Sequence, residues 1–77
     1  MLAPDWFAGD TIITASEPQR AAVRQVQRVL RLAETGDMDD MTRASLRGFQ
    51  GLFGLRVSGM LDLQTAITIE KVRNQYA

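Results

Sequence analysis

Two stretches of eight residues, TGDMDDMT at 35–42 and SGMLDLQT at 58–65, share the spacing Gly-x-x-Asp-x-x-Thr. Glycine adopts positive φ at little cost and can reverse the chain. An aspartate three residues later can accept hydrogen bonds from the free amides of a first helical turn. The threonine falls at the third helical position, where its hydroxyl can reach back towards the cap. Each stretch therefore predicts a turn followed by a helix start.

The similarity continues on both sides of the two stretches at the same offset of 23 residues. Self-similarity of this extent is typical of a duplicated supersecondary unit. Each copy is predicted to contain the end of one helix, a turn and the start of the next helix. The corresponding pairs are Val26-Gln27 with Phe49-Gln50, Leu30 with Phe53, Leu32 with Leu55, and Leu46 with Ile69.

The pattern predicts an all-α fold, a compact three-helix bundle of residues 16–77 with an extended N-terminal arm of residues 1–15. Helix one is predicted to start at Ser16, because SEPQ supplies a capping serine, a proline in the first turn and a glutamine for a capping box. It should run to about Ala33. Helix two is predicted from Asp39 or Asp40 to about Leu52, and helix three from Asp62 to near the C-terminus.

Helical periodicity assigns one apolar face to each helix. Gly48 and Gly51 should weaken helix two by about 1 kcal/mol each relative to alanine, and could permit close helix contact. The predicted core residues are Ala22, Val23, Val26, Val29, Leu30 and Ala33 in helix one, Met41, Leu46, Phe49 and Phe53 in helix two, and Ala66, Ile69, Val72 and Tyr76 in helix three.

Composition argues against several classes of protein. The chain has 77 residues, no cysteine, no histidine and a formal charge of zero. We therefore expect no catalytic site, no metal site and no cofactor, since the commonest metal ligand and general base is missing. We also expect no nucleic-acid partner, because no basic excess would attract one. Asp37, Asp39 and Asp40 are interpreted as acids near a helix start rather than as calcium ligands.

The chain carries no recognisable targeting segment. MLAPDWFAGD lacks the basic and apolar regions of a signal peptide, and no apolar run approaches the roughly 20 residues of a membrane span. We expect a protein that is cytoplasmic on synthesis and has no membrane partner, and association with a virion stays open.

Four arginines occupy the face of helix one opposite its apolar face: Arg20, Arg24, Arg28 and Arg31. Glu17 and Glu34 lie three residues from the terminal members and can pair with them. A solvated, ion-paired face is the favoured interpretation. Binding of phosphate or carboxylate groups stays open as the alternative, because guanidinium groups bind both in bidentate geometry.

Two stretches, VRQVQRVL at residues 23–30 and TRASLRGFQGLFGLRVSGMLDLQTA at residues 42–66, resemble the peptidoglycan-binding domain-like family. That family shows Val-Gln with a following Leu, then Thr-x-x-Ala-Val-x-x-Phe-Gln, then Gly-Leu-x-x-x-Gly-x-x-Asp-x-x-Thr. The resemblance extends over about residues 20–73. The matching positions are Thr42, Leu46, Phe49, Gln50, Gly54, Leu55, Gly59, Asp62 and Thr65.

The resemblance implies a three-helix module that holds wall-associated proteins on peptidoglycan. Its implied ligand groups lie near the second turn, where Gln27, Arg47, Gln50 and Thr65 could hydrogen-bond glycan or stem-peptide groups. This chain departs from the family pattern in two places. Its loop before helix two is shortened to GDMDDM, and Phe53 stands where asparagine is common.

Apolar residues outside the repeat suggest a further contact. The arm contains Trp6, Phe7, Ile12 and Ile13, and on helix three Leu63 and Ile67 project away from the predicted inward face. An arm this apolar should dock on a surface rather than remain solvated. It could fold over Leu63 and Ile67 in the same molecule, or dock on a neighbouring subunit.

Two functions remain open from the sequence. The first is a non-catalytic binding module, phage-associated, that attaches to peptidoglycan or to a larger assembly. The second is a bacteriophage virion structural protein, such as a capsid decoration or tail component, that uses the arm for protein–protein contacts. In the second case the chain would be multimeric within an assembly of virion proteins.

Overall fold

Three α-helices form the chain in the computed structural model, which describes residues 2–11 and 16–76. They are α1 (Glu17–Val29), α2 (Asp40–Leu52) and α3 (Leu63–Tyr76). No strand occurs in these two ranges. The predicted all-α, three-helix fold is thus confirmed. Of the arm residues singled out above, Ile12 and Ile13 lie outside the described residues.

The starts of the helices follow the predicted capping chemistry. Ser16 and Gln19 form a reciprocal capping box at α1. Asp39 Oδ1 accepts a hydrogen bond from the Thr42 amide at 2.8 Å, and Asp62 Oδ1 accepts one from the Thr65 amide at 2.9 Å. Both aspartates of the repeat therefore cap a helix, as their spacing predicted.

The C-terminal ends of α1 and α2 share a hydrogen-bonding motif that the sequence repeat did not predict. Leu32 donates its amide to the Gln27 carbonyl at 2.8 Å, and Leu55 donates to the Gln50 carbonyl at 2.8 Å. This six-to-one bond, with a left-handed residue just before the donor, is a Schellman motif.

The left-handed residues are Arg31 at φ 61° and Gly54 at φ 69°. Because the chain reverses at Arg31, α1 ends at Val29, and the predicted continuation to Ala33 is wrong. We call residues 30–39 the first turn and residues 53–62 the second turn.

The core lies between the three helices and includes one residue from each turn. Its buried residues are Ala22, Val23, Val26, Met38, Leu46, Phe49, Leu61, Ala66 and Ile69. Four predicted core residues are exposed instead. Met41 is 65%, Phe53 45% and Tyr76 77% exposed, because they lie at helix ends beyond the contact region, and Ala33 falls outside the shortened helix.

The N-terminal arm folds over α3 of the same molecule. Trp6 and Phe7 pack against the core cluster, and Trp6 Nε1 donates to Glu70 Oε2 at 2.9 Å. Thr11 is fully buried, and its amide donates to the Leu61 carbonyl at 3.1 Å. Ile67 is only 7% exposed and borders a small hollow with Leu2 and Pro4. The surplus apolar surface of α3 is thus covered largely within the chain.

Gly48 lies in the middle of α2 and is exposed, and a Cβ built there would meet nothing within 4 Å. It does not mediate a close helix contact. We expect Gly48→Ala to raise the free energy of unfolding by about 0.5 to 1 kcal/mol, because alanine loses less backbone entropy in a helix. Urea denaturation followed by circular dichroism measures the change.

Gly59→Ala is the matched control for that substitution. Gly59 has φ 74°, and an added Cβ would lie 3.2 Å from Arg47 Cγ. This variant should lower the free energy of unfolding by at least about 1 kcal/mol, since an L-residue is strained there. Equal effects of the two substitutions would contradict the assigned backbone conformations.

Candidate functional site

A buried glutamine holds the first turn together from within. The Gln27 side chain is fully buried. Its Nε2 donates to Thr35 Oγ1 at 3.1 Å, to the Asp37 carbonyl at 3.0 Å and to Thr42 Oγ1 at 3.0 Å. Its Oε1 accepts from the Gly36 amide at 3.0 Å. One side chain on α1 thereby fixes the turn and the first helical turn of α2.

Gln50 does the same for the second turn, 23 residues later. Its Nε2 donates to Ser58 Oγ at 3.3 Å, to the Met60 carbonyl at 2.9 Å and to Thr65 Oγ1 at 2.9 Å. Its Oε1 accepts from the amides of Ser58 at 3.1 Å and Gly59 at 2.9 Å. The sequence repeat is therefore also a repeat of hydrogen bonds, and only the bond from the Ser58 amide has no counterpart at Gln27 among the described residues.

The ligand set expected from the family resemblance is not assembled at the surface. Gln27, Gln50 and Thr65 are each 0% exposed, and the polar groups of the two glutamines are used inside the turns. A ligand would have to break these bonds to reach them. Arg47 alone of the four is exposed, and its guanidinium group lies over Gly59.

A shallow groove of about 510 Å³ does lie beside the second turn. It is formed by the second turn, the start of α3 and Asp10 of the arm. Arg56 and Gln64 are exposed and offer hydrogen-bond donors. Leu55 is half-buried and Leu63 is 39% exposed, and both supply apolar surface. The groove is lined by Asp10, Gly54, Leu55, Arg56, Asp62, Leu63 and Gln64.

Sequence reasoning located this region but missed its surface residues. Arg56 and Gln64 belong to no sequence motif. Only their position next to the repeated turn could have indicated that they lie at this groove. The burial of the two glutamines had a signal, because both copies hold glutamine at the same register. Polar side chains are exposed far more often than buried, which favoured the other interpretation.

The arginine face of α1 is largely ion-paired. Arg24 Nη2 lies 2.8 Å from Glu17 Oε1, and Arg28 Nη2 lies 2.8 Å from Glu34 Oε1. Hydrogen bonds from these arginines hold the pKa of both glutamates below the usual value. Arg20 pairs with Asp37 of the first turn at 2.5 Å. This agrees with the favoured interpretation for Arg20, Arg24 and Arg28.

The helix that Asp39 caps favours the ionised form of the Asp39 carboxyl group. Hydrogen bonds from the Thr42 side chain and amide lower the pKa of Asp39.

In residues 2–11 and 16–76, no group of three acidic, histidine or cysteine side chains is arranged to hold a metal ion. Within the same ranges, no helix has both the length and the apolar character needed to cross a bilayer.

An apolar patch is exposed next to the groove, around the end of α2. Leu52 is 80%, Phe53 45% and Val57 55% exposed. The Phe53 ring lies against the Phe49 ring, with centroids 4.6 Å apart, so it is anchored to the core on one side. We call Leu52, Phe53 and Val57 the α2-end patch.

One comparison with known proteins gave a match, and that match covers part of the chain. Residues 33–69 match the family model described as putative peptidoglycan binding domain. The match covers the first turn from Ala33 onwards, all of α2, the second turn and the first half of α3, a narrower stretch than the predicted residues 20–73. It confirms the family resemblance, and the family is defined by binding rather than by a reaction. No curated protein and no solved structure gave a significant match.

Replacing Gln50 with leucine should strongly destabilise the protein. The substitution leaves the buried Gly59 amide and the Met60 carbonyl without this partner, and each buried unsatisfied group costs about 1 to 3 kcal/mol. We expect a loss of about 3 kcal/mol or more in the free energy of unfolding, measured by urea denaturation.

Gln25→Leu is the matched control, on the helix that carries Gln27. The buried Gln25 Nε2 has no hydrogen-bond partner among the described residues. Its replacement should change the free energy of unfolding by less than about 0.5 kcal/mol or stabilise the protein. A similar small effect of Gln50→Leu would show that the amide does not hold the second turn.

Proposed function

We propose, from the match of residues 33–69 to a family of putative peptidoglycan binding domains, that this protein is a non-catalytic module that binds peptidoglycan. The observation that carries the proposal is the family match across the duplicated turns. The turns themselves are internally satisfied, so binding has to use the surface beside them. Fold alone does not define function, and the groove next to the second turn supplies the chemistry.

The groove suits a ligand that is polar along one side and apolar along the other. Arg56 and Gln64 offer donors to hydroxyl, amide and carboxylate oxygens, and Leu63 offers apolar surface. Its rim is built from backbone that Gln50 and the Asp62 cap hold in place. A preformed rim lowers the ordering cost of binding. Sugar chains and short peptides of the cell wall have this mixed character.

A second candidate function is a structural contact within a larger assembly, such as a bacteriophage particle. The observation that favours it is the α2-end patch, since exposed apolar side chains in a cluster mark many protein–protein contacts. The arm gives this candidate no additional support, because Trp6 and Phe7 pack on their own core.

Co-sedimentation with purified, insoluble peptidoglycan tests the proposed function. The wild-type protein should be retained in the pellet, and Arg56→Ala should weaken retention about ten-fold, as expected for loss of one charge-assisted hydrogen bond. Lys71→Ala removes an exposed positive charge outside the groove and should leave retention unchanged.

Substitution of the α2-end patch separates the two candidates. Leu52→Ser should leave retention on peptidoglycan unchanged, because Leu52 does not line the groove. Absence of the wild-type protein from the pellet would contradict wall binding. If the wild-type protein also forms oligomers that Leu52→Ser abolishes, the structural role becomes the better account.

A further inference from the structure

A second cleft, of about 380 Å³, lies at the opposite end of α3 from the groove. It forms where the C-terminal ends of α1 and α3 meet. Three of its six lining residues are arginines, and the remainder form an apolar floor and an aromatic wall. The lining residues are Arg28, Val29, Arg31, Val72, Arg73 and Tyr76.

Two of the three arginines are neutralised and fixed by glutamates. Arg28 donates from Nε and Nη2 to Glu34 Oε1 at 3.2 and 2.8 Å. Arg73 Nε donates to Glu70 Oε1 at 2.7 Å, and the other oxygen of Glu70 accepts from the Trp6 indole. Both arginines also lie in last helical turns, where cations oppose the helix dipole. Their presence thus has a structural explanation.

Arg31 lacks such an explanation. It makes no ion pair with any acidic group of residues 2–11 or 16–76. Its backbone occupies the left-handed region at φ 61°, an unfavourable conformation for a residue that carries a Cβ. The second copy of the motif holds Gly54 at the corresponding position, in the same conformation and with the same pair of hydrogen bonds.

The first copy of the repeat therefore has an arginine in a left-handed conformation, whereas the second copy has a glycine, which adopts that conformation without strain. Strained residues persist where the surrounding structure imposes them, and they cluster at binding sites. Here the strain places a guanidinium group that has no acidic partner in residues 2–11 or 16–76 at the rim of a cleft. The strained backbone of Arg31 therefore indicates that its side chain contacts a ligand.

The cleft defines the chemistry of that ligand. A single unpaired guanidinium group offers a planar pair of donors, which matches a carboxylate in bidentate geometry. Val29 and Val72 provide surface for small aliphatic groups, and the 77% exposed Tyr76 ring can close over them. The volume is at the lower end of the range for small-ligand sites, which fits a fragment of about two small residues.

We propose that this cleft binds the terminal carboxylate of a short peptide with small aliphatic side chains, and that Arg31 contacts the carboxylate. The carboxylate site follows from the cleft itself. Its assignment to the peptide part of the cell wall rests on the proposed function. The module would then hold peptidoglycan at two places, one at each end of α3.

Titration of the ¹⁵N-labelled chain with N-acetyl-alanyl-alanine tests this site by NMR. The free acid should produce saturable shifts of the Val29, Arg31 and Tyr76 amides. The C-terminal amide of the same dipeptide should bind at least ten-fold more weakly, because it lacks the charge that Arg31 contacts. Equal binding of acid and amide, or shifts confined to the groove beside the second turn, would overturn the proposal.

Arg31→Gly supplies a variant that does not confound binding with stability. Glycine suits the left-handed position, so the melting temperature should stay the same or rise, while affinity for the dipeptide should fall at least ten-fold. Lys71→Ala removes one positive charge elsewhere on α3 and should leave dipeptide affinity unchanged. Undiminished affinity of Arg31→Gly would overturn the role of Arg31.

The two proposals fail in distinguishable ways. Retention on peptidoglycan without dipeptide binding would overturn the carboxylate site and leave wall binding in place. Dipeptide binding that Arg31→Gly removes, without retention on peptidoglycan, would support the site and overturn its assignment to the wall together with the proposed function.

Discussion

Each turn of this protein depends on the buried amide of a glutamine in the preceding helix. Gln27 and Gln50 use both ends of the amide, so that one side chain satisfies backbone groups of the turn and a threonine of the next helix. Buried polar groups that are fully paired favour one conformation strongly, because every alternative leaves them unsatisfied. With no disulfide available, these bonds determine how three short helices are joined.

The two copies of the repeat share their turn-forming residues and differ at surface positions. Both copies share the glutamine, the glycine, the capping aspartate and the threonine, and all of these except the aspartates are buried. Two of the differences lie at the surface: exposed Arg31 corresponds to Gly54 at the helix end, and exposed Asp37 corresponds to half-buried Met60 in the turn. Binding chemistry is therefore expected at the differences, in the cleft beside Arg31 and the groove beside Arg56, rather than at the residues that define the repeat.

The sequence predicted the elements whose signals are local. Capping by Ser16, Asp39 and Asp62 depends on a few neighbouring residues, so spacing was sufficient. The end of α1 was misplaced because Arg31 adopts a left-handed conformation that its side chain disfavours, within the local hydrogen bonds of the Schellman motif. Helical periodicity placed Phe53 and Tyr76 in the core, although it cannot show where neighbouring helices stop. The burial of Gln27 and Gln50 was not predicted, because local pattern does not distinguish a buried glutamine from an exposed one.

Hydrogen exchange of side-chain amides tests the central role of the two glutamines most directly. The Nε2 protons of Gln27 and Gln50 should exchange as slowly as backbone amides of the core, because opening either one requires the turn to open. The exposed Gln64 and Gln75 side chains supply the unprotected reference rate in the same spectrum. Protection by several orders of magnitude is the predicted result. Exchange of Gln27 and Gln50 at the reference rate would contradict the account.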